Sequence, residues 1–172
     1  SLVSPYELNG DLLLMESRNS VRNITAHLLE KGRTLPGFMG DIGYAQSNRE
    51  RYEGFCQALM DAGKTPNPSL CLTTPLGIDS YREEIDSFLS SLSRMPDAFV
   101  CASDYVACIL MQLLEKRGLR VPEDVAVSGF DNNIEDLLAE NLTTVQVFNE
   151  ELGSRLALQI LYRIKYAHTP HE

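Results

Sequence analysis

The chain has 172 residues, 44% of them hydrophobic and none of them tryptophan, and its 15 Lys+Arg against 24 Asp+Glu give a net charge of −9. A chain of this length buries roughly 70% of the surface that its unfolded form exposes, so a core closes without metal or disulfide, which speaks against zinc-finger and disulfide-scaffold classes. The acidic balance speaks against a direct nucleic-acid surface, because binding a polyphosphate needs a basic face to release counterions.

In chain order, Asp11 to Glu16 (DLLLME) is an apolar run of strand length. Val21 to Lys31 then places Val21, Ile24, Leu28 and Leu29 on one helical face and stops at Gly32. Leu35 to Gly40 returns to strand character. Ser47 to Ala62 is the clearest amphipathic helix, with Tyr52, Phe55, Cys56, Leu59 and Met60 as the buried stripe and Arg49, Arg51, Glu53 and Gln57 outside it; Gly63 ends it. The alternation repeats as strand Ser69 to Thr73, helix Ser80 to Ser93, strand Ala98 to Ala102, helix Asp104 to Arg117 and strand Val125 to Gly129. A polar loop, Asp131 to Asn141, is expected to hold one helical turn, followed by a β-branched strand, Thr143 to Val147, and a last helix, Glu150 to Lys165. Strands spaced by helices of this length build right-handed βαβ units, hence an α/β fold with a parallel sheet flanked by helices.

In open parallel sheets the ligand sits beyond the carboxyl ends of the strands. The loops there and the helix starts after them carry Asp41, Tyr44, Asn48, Arg51, Asp79, Ser103, Asp104, Asp131 and Asn132. Such a set of carboxylates, amides and one Arg suits a hydroxyl-rich ligand, since each group donates or accepts in a fixed direction. Arg51 lies one turn beyond Ser47, where its guanidinium can turn into the crevice and clamp an oxygen in a fork. Asp104 has two compatible readings, as the cap of the helix that it opens and as a ligand contact.

Other motifs lead nowhere. Gly63-Lys64-Thr65 resembles the end of a phosphate loop, but the first glycine of that motif would fall on Ala58 and the segment follows a helix. Gly37, Gly40 and Gly43 do not make a dinucleotide fingerprint. The cysteines Cys56, Cys71, Cys101 and Cys108 form no C-x-x-C pair, lack a His at ligand spacing and sit in apolar stretches, so they read as buried hydrophobes in a reducing compartment, with no metal site. His27 lies inside a helix and His168 and His171 in the tail, so no Ser–His or Cys–His pair points to nucleophilic catalysis. No enzyme chemistry and no cofactor are expected. The longest apolar runs fall far short of the roughly 20 residues of a membrane span, and no leader pattern is present, so a soluble, cytoplasmic protein is expected.

The run PDAFVCASDYVACILMQLLEKRGLRVPEDVAVSGFDN, followed by LTTVQV and ELGSRLALQIL, resembles the C-terminal lobe of the effector domain of lactose-repressor/galactose-repressor (LacI/GalR) transcription regulators. SNRERYEGFCQAL and the helix ending LLEKGR match the same family in order, so the resemblance covers about Leu14 to Lys165. It implies a periplasmic-binding-protein-like type I fold, with 1–33 as a remnant of the N-terminal lobe and crossover, 34–148 as the effector-binding lobe, and 149–172 as a crossover helix and truncated tail. It implies a small-molecule effector, a sugar or related metabolite, held between lobes whose closure controls a homodimer's grip on operator DNA through a separate helix-turn-helix domain. The chain is then a fragment, with that domain and most of the first lobe's strands missing before Ser1 and the closing segments missing after Glu172. By position, Arg51, Asp104 and Asp131 match the family's effector-binding residues, Ser47 and Ser103 flank them, and Leu76 and Tyr81 fall where a hydrophobic or stacking wall stands.

The chain departs from the family pattern at Glu16-Ser17, Arg33, Ser103 and Val147-Phe148, which points to a less polar or differently shaped effector than a common hexose. The alternative is a solute-binding protein of transport or chemotaxis, or the sensor module of a signalling enzyme. Left unsupported, the Asp11 to Glu16 strand would offer an edge for pairing with another copy.

Overall fold

The computed structural model describes residues 10–77, 79–133 and 142–166. By contacts the chain divides into one unit of Glu16–Gln146 and another of Ser1–Met15 with Val147–Glu172.

The first unit is a parallel sheet with helices on both faces. Its strands are β1 (Pro36–Met39), β2 (Cys71–Leu72), β3 (Ala98–Cys101) and β4 (Ala126–Ser128), in the order β2-β1-β3-β4. Every ladder is parallel, with Phe38 opposite both Cys71 and Val100, and Val100 opposite Ser128. Every residue of β1, β3 and β4 is buried, as a sheet covered on both faces requires.

Alternation along the strands sends side chains to opposite faces. Met39, Phe99, Cys101, Val125 and Val127 join Ile85 and Leu89 of α3 (Tyr81–Ser91) and Leu110 and Leu114 of α4 (Asp104–Lys116) in one core. On the other face, Phe38 meets Tyr52 and Phe55 of α2 (Gln46–Asp61). There α2 lies against α1 (Arg18–Glu30) so closely that a Cβ on Gly54 would stand 2.1 Å from the Arg18 carbonyl oxygen. Cys101 and Cys108 are buried, Cys56 and Cys71 half-buried, and burial raises the thiol pKa of Cys71 to about 11.

Four expectations need correction. Residues 11–16 form no strand: Asp11 is drawn to α5 (Asn149–Lys165), and Glu16 is engaged with the start of α1. Thr143 to Val147 makes isolated parallel bridges, Ser128 with Thr143 and Asp131 with Gln146, and does not form a strand of the sheet. In α2 the buried set is Arg51, Gly54, Phe55, Ala58 and Leu59, so Arg51 belongs inside and Met60, 52% exposed, outside; the face that packs on α1 and the sheet is rotated from the expected stripe. The cap of α4 is Ser103, whose Oγ accepts the Val106 N–H at 3.3 Å, and Asp104 is the first helical residue. The helical turn expected within 131–141 falls mostly on residues outside those described, as do His168 and His171.

Glu16 replaces a missing side-chain cap at α1: its carboxylate accepts the Asn19 and Ser20 N–H groups at 2.6 and 2.9 Å. Burial pushes its pKa up, but the bonds from Asn19 and Ser20 outweigh this and hold it below the ordinary value. The stabilisation is therefore complete above the ordinary carboxylate range and is lost as pH falls through the lowered pKa. Glu16→Ala is expected to cost about 1 kcal/mol at pH 7, as loss of a cap does, and progressively less as pH falls below the ordinary carboxylate range, in paired denaturant melts.

In the second unit, Asp11 accepts hydrogen bonds from Gln159, at 2.6 Å, and from Arg163 of α5 (Asn149–Lys165). None of the α5 residues is buried, and Leu158, Ile160, Leu161 and Ile164 are exposed. A mostly apolar cavity of about 870 Å³ runs between 11–13 and this helix.

Candidate functional site

The strand order reverses between β1 and β3, so the crevice of an open α/β sheet opens at their carboxyl ends. Gly40 ends β1 there, and a Cβ on it would stand 2.2 Å from the Ala102 Cβ at the end of β3. Nothing larger than glycine lets these two strand ends approach so closely.

Arg51 reaches this point from the second turn of α2. It is 5% exposed, and its guanidinium lies 3.6 Å from the centroid of the Phe130 ring. One terminal nitrogen donates to the Ala102 carbonyl and the other stands 3.5 Å from Asp131 Oδ1, a loose pair. Its Nε–H is buried with no hydrogen-bond partner among the described residues. Burial pulls the guanidinium pKa down, opposed by Asp131, Asp104 and Glu50. Asp131 is shifted the other way: burial raises its pKa, Arg51 lowers it, and Asp104 raises it again.

Asp104 is 1% exposed and its carboxylate is occupied. Oδ1 accepts the Thr144 hydroxyl at 2.6 Å and Oδ2 the Asn133 N–H at 3.3 Å. Ser103 spends its hydroxyl on the helix cap. Ser47 sits half-buried in the first turn of α2, one turn before Arg51.

Leu76 is buried in the loop after β2, and Tyr81 opens α3. The Tyr81 ring meets Tyr105 edge to face at 5.7 Å. Burial raises the Tyr81 pKa, and Asp41, Tyr44 and Tyr105 add to the rise. Asp41 is tied down by the Gly43 and Tyr44 N–H groups at 2.7 and 3.1 Å.

The expected residues thus split into a polar group, Arg51 with Asp131 and Asp104, and an aromatic edge at Tyr81. Sequence reasoning placed Ala102, Tyr105 and Phe130 in the strand-end loops without giving them a contact, and it missed Thr144. Phe130 and Ala102 adjoin residues already singled out, but nothing in LTTVQ marks the second threonine. Among the described residues no His/Cys/Asp/Glu group could hold a metal ion, and no helix is long and apolar enough to cross a membrane.

Residues 25–172 match the periplasmic binding protein-like domain. The chain is 32% identical over 146 residues to the HTH-type transcriptional regulator DegA of Bacillus subtilis, covering 84% of this chain and 42% of that protein. It is 31% identical over 166 residues to the HTH-type transcriptional repressor PurR of Aliivibrio salmonicida, covering 95% and 49%. The chain therefore spans about half the length of the curated relatives it matches. Among solved structures, a complex of the transcriptional regulator CelR with cellobiose superposes with a TM-score of 0.82 at 26% identity, over 95% of this chain and 50% of the other. A LacI-type transcription regulator from Bifidobacterium animalis subsp. lactis superposes with a TM-score of 0.81 at 26% identity, over 94% and 62%. Parallel sheet, helices on both faces, strand-end crevice and these matches agree: the chain belongs to the periplasmic-binding-protein-like domain family.

Proposed function

We propose that the chain is the effector-sensing part of a DNA-binding transcription regulator and that its effector is a small oxygen-rich metabolite, a sugar or a molecule of similar polarity. One observation carries this reading. Arg51 is a buried cation at the strand-end crevice with a free Nε–H among the described residues and a loosely paired carboxylate opposite. A buried donor without a partner costs stability, and a ligand oxygen placed between Arg51 and Asp131 removes that cost. Arg51 and Asp131 supply the polar contacts, with Ser47 and Ser103 at their flank and Leu76 and Tyr81 as the wall.

In this reading 34–148 is the effector lobe and 149–172 the crossover helix and tail. The protein is a cytoplasmic homodimer without enzymatic activity, and operator DNA is reached through a helix-turn-helix domain outside this chain. Ligand binding shifts the lobe equilibrium only by its differential affinity for the two arrangements, and effector and operator affinities are reciprocally linked. The curated relatives, named as regulators, favour this over a transport protein.

The test is a thermal-shift and calorimetric titration with cellobiose, D-glucose, adenine and sorbitol, in the parent chain and in Arg51→Ala. At least one of these ligands is expected to bind the parent, with affinity reduced about 30-fold or more in Arg51→Ala, the loss that goes with removing a hydrogen bond to a charged group. Equal affinity in both proteins would refute the reading.

A further inference from the structure

We infer that Asp104 is a positioning residue: with Thr144 it clamps the strained Asp131–Asn132 loop that aims the Asp131 carboxylate at Arg51. The resemblance assigns Asp104 to the effector, but its surroundings leave little of it to offer. Both carboxylate oxygens are taken by protein donors, and the residue is 1% exposed. Asp131 has 28% of its side chain exposed and only a 3.5 Å contact with Arg51, so it is the carboxylate left open to a ligand.

The loop carrying Asp131 needs holding. Asp131 has φ 110° and Asn132 φ 50°, adjacent residues with a Cβ in a region that such residues populate sparsely. Strain of this kind persists only where the surroundings over-determine it. The Asp131 N–H donates to the Val145 carbonyl at 3.0 Å, and the Asn132 side chain donates to Gln146. Asp104 joins the two sides of this arrangement. Its own N–H donates to the Phe130 carbonyl at 2.9 Å just before the strained pair, its Oδ2 takes the Asn133 N–H just after it, and its Oδ1 takes the Thr144 hydroxyl from the facing segment. Both side-chain bonds end on this one buried carboxyl group. The backbone makes room for this: a Cβ on Gly129 would stand 2.2 Å from Asp104 Oδ1. The role of the clamp in effector recognition rests on the proposed reading of Arg51 and Asp131, whereas the clamp itself does not.

Amide hydrogen exchange followed by NMR on the parent chain and on variants tests the inference without a ligand. Thr144→Val keeps the shape and removes the hydroxyl. It is expected to speed exchange at the Asp131 and Asn133 amides by about tenfold or more while the Phe99 and Val100 amides of β3 change less than about twofold, the signature of local opening. Thr144→Ser should restore the parent rates. Adding Asn132→Gly to Thr144→Val should recover part of the protection, because glycine takes positive φ without strain. Asp104→Asn, if it folds, should repeat the local pattern, and Thr144→Val remains informative if it does not. Unchanged exchange at Asp131 and Asn133 in Thr144→Val, or acceleration equal to that in β3, would overturn the inference. If the clamp behaves as expected while Arg51→Ala leaves effector affinity unchanged, the effector reading fails and the clamp stands.

Discussion

Gly129→Ala is expected to lower the thermal midpoint by about 6–12 °C, corresponding to about 3 kcal/mol at 2–4 °C per kcal/mol for a chain of this size. The added Cβ would stand 2.2 Å from Asp104 Oδ1, 3.1 Å from Asp104 Cα and 3.2 Å from Cγ, so no rotation of a flexible tip relieves it. Either the start of α4 moves or the loop after β4 does. Overpacking of this kind costs about 1–3 kcal/mol, and displacing the carboxylate adds the loss of its bonds to Thr144 and Asn133. The cost belongs to a pair, which gives a sharper check than the midpoint alone. In an Asp104→Gly background the contacts with Oδ1 and Cγ and the two bonds are gone and only the 3.1 Å approach to the Cα remains, so adding Gly129→Ala should cost about 1 kcal/mol, well below its cost in the parent. Additive losses in the double variant would show that Gly129 matters for another reason.

This glycine marks the limit of what could be read from sequence. The Gly-Phe-Asp run drew attention to Asp131, but the approach of Asp104 to Gly129 joins residues far apart in the chain and appears only once β3 and β4 are side by side. Helices α2 and α4 were legible because their apolar residues recur at helical spacing, and the crevice followed from counting alternate strands and helices. The failures share a cause. Residues 11–16 have the apolar composition of a strand, but strand formation depends on a partner, and composition does not name partners. Thr143 to Val147 has the β-branched composition too, and it meets the segment after β4 only through isolated bridges. Arg51 was placed both outside a hydrophobic stripe and inside a crevice. The second placement holds because the buried face of a helix extends past the core to whatever its N-terminal turns overhang. At Asp104, residue type and position do not separate a carboxylate that meets a ligand from one that holds a loop.

Phe38→Ala should destabilise the Glu16–Gln146 unit by about 3–5 kcal/mol in denaturant titration, the range for removing a fully buried aromatic ring. Phe38 is 0% exposed, in the strand flanked by β2 and β3, with its ring 5.1 Å from Tyr52 in an edge-on contact and 5.7 Å from Phe55. Loss of the ring removes buried apolar area and two aromatic contacts and leaves a cavity that the sheet backbone, hydrogen-bonded on both sides, is poorly placed to fill. Phe148→Ala, at a residue 68% exposed, is the matched control and should change stability by less than about 0.5 kcal/mol. The consequence reaches the crevice through one residue. Tyr52 is the neighbour of Arg51 on α2, so the ring cluster that seats this helix on the sheet also sets how far the guanidinium reaches toward Ala102 and Asp131. Phe38→Leu, which keeps most of the volume, should therefore retain effector affinity while Phe38→Ala loses it under conditions where both remain folded. A Phe38→Ala protein less than about 1 kcal/mol weaker than the parent would mean that α2 is held on the sheet by other contacts and that the Arg51 geometry does not depend on this cluster.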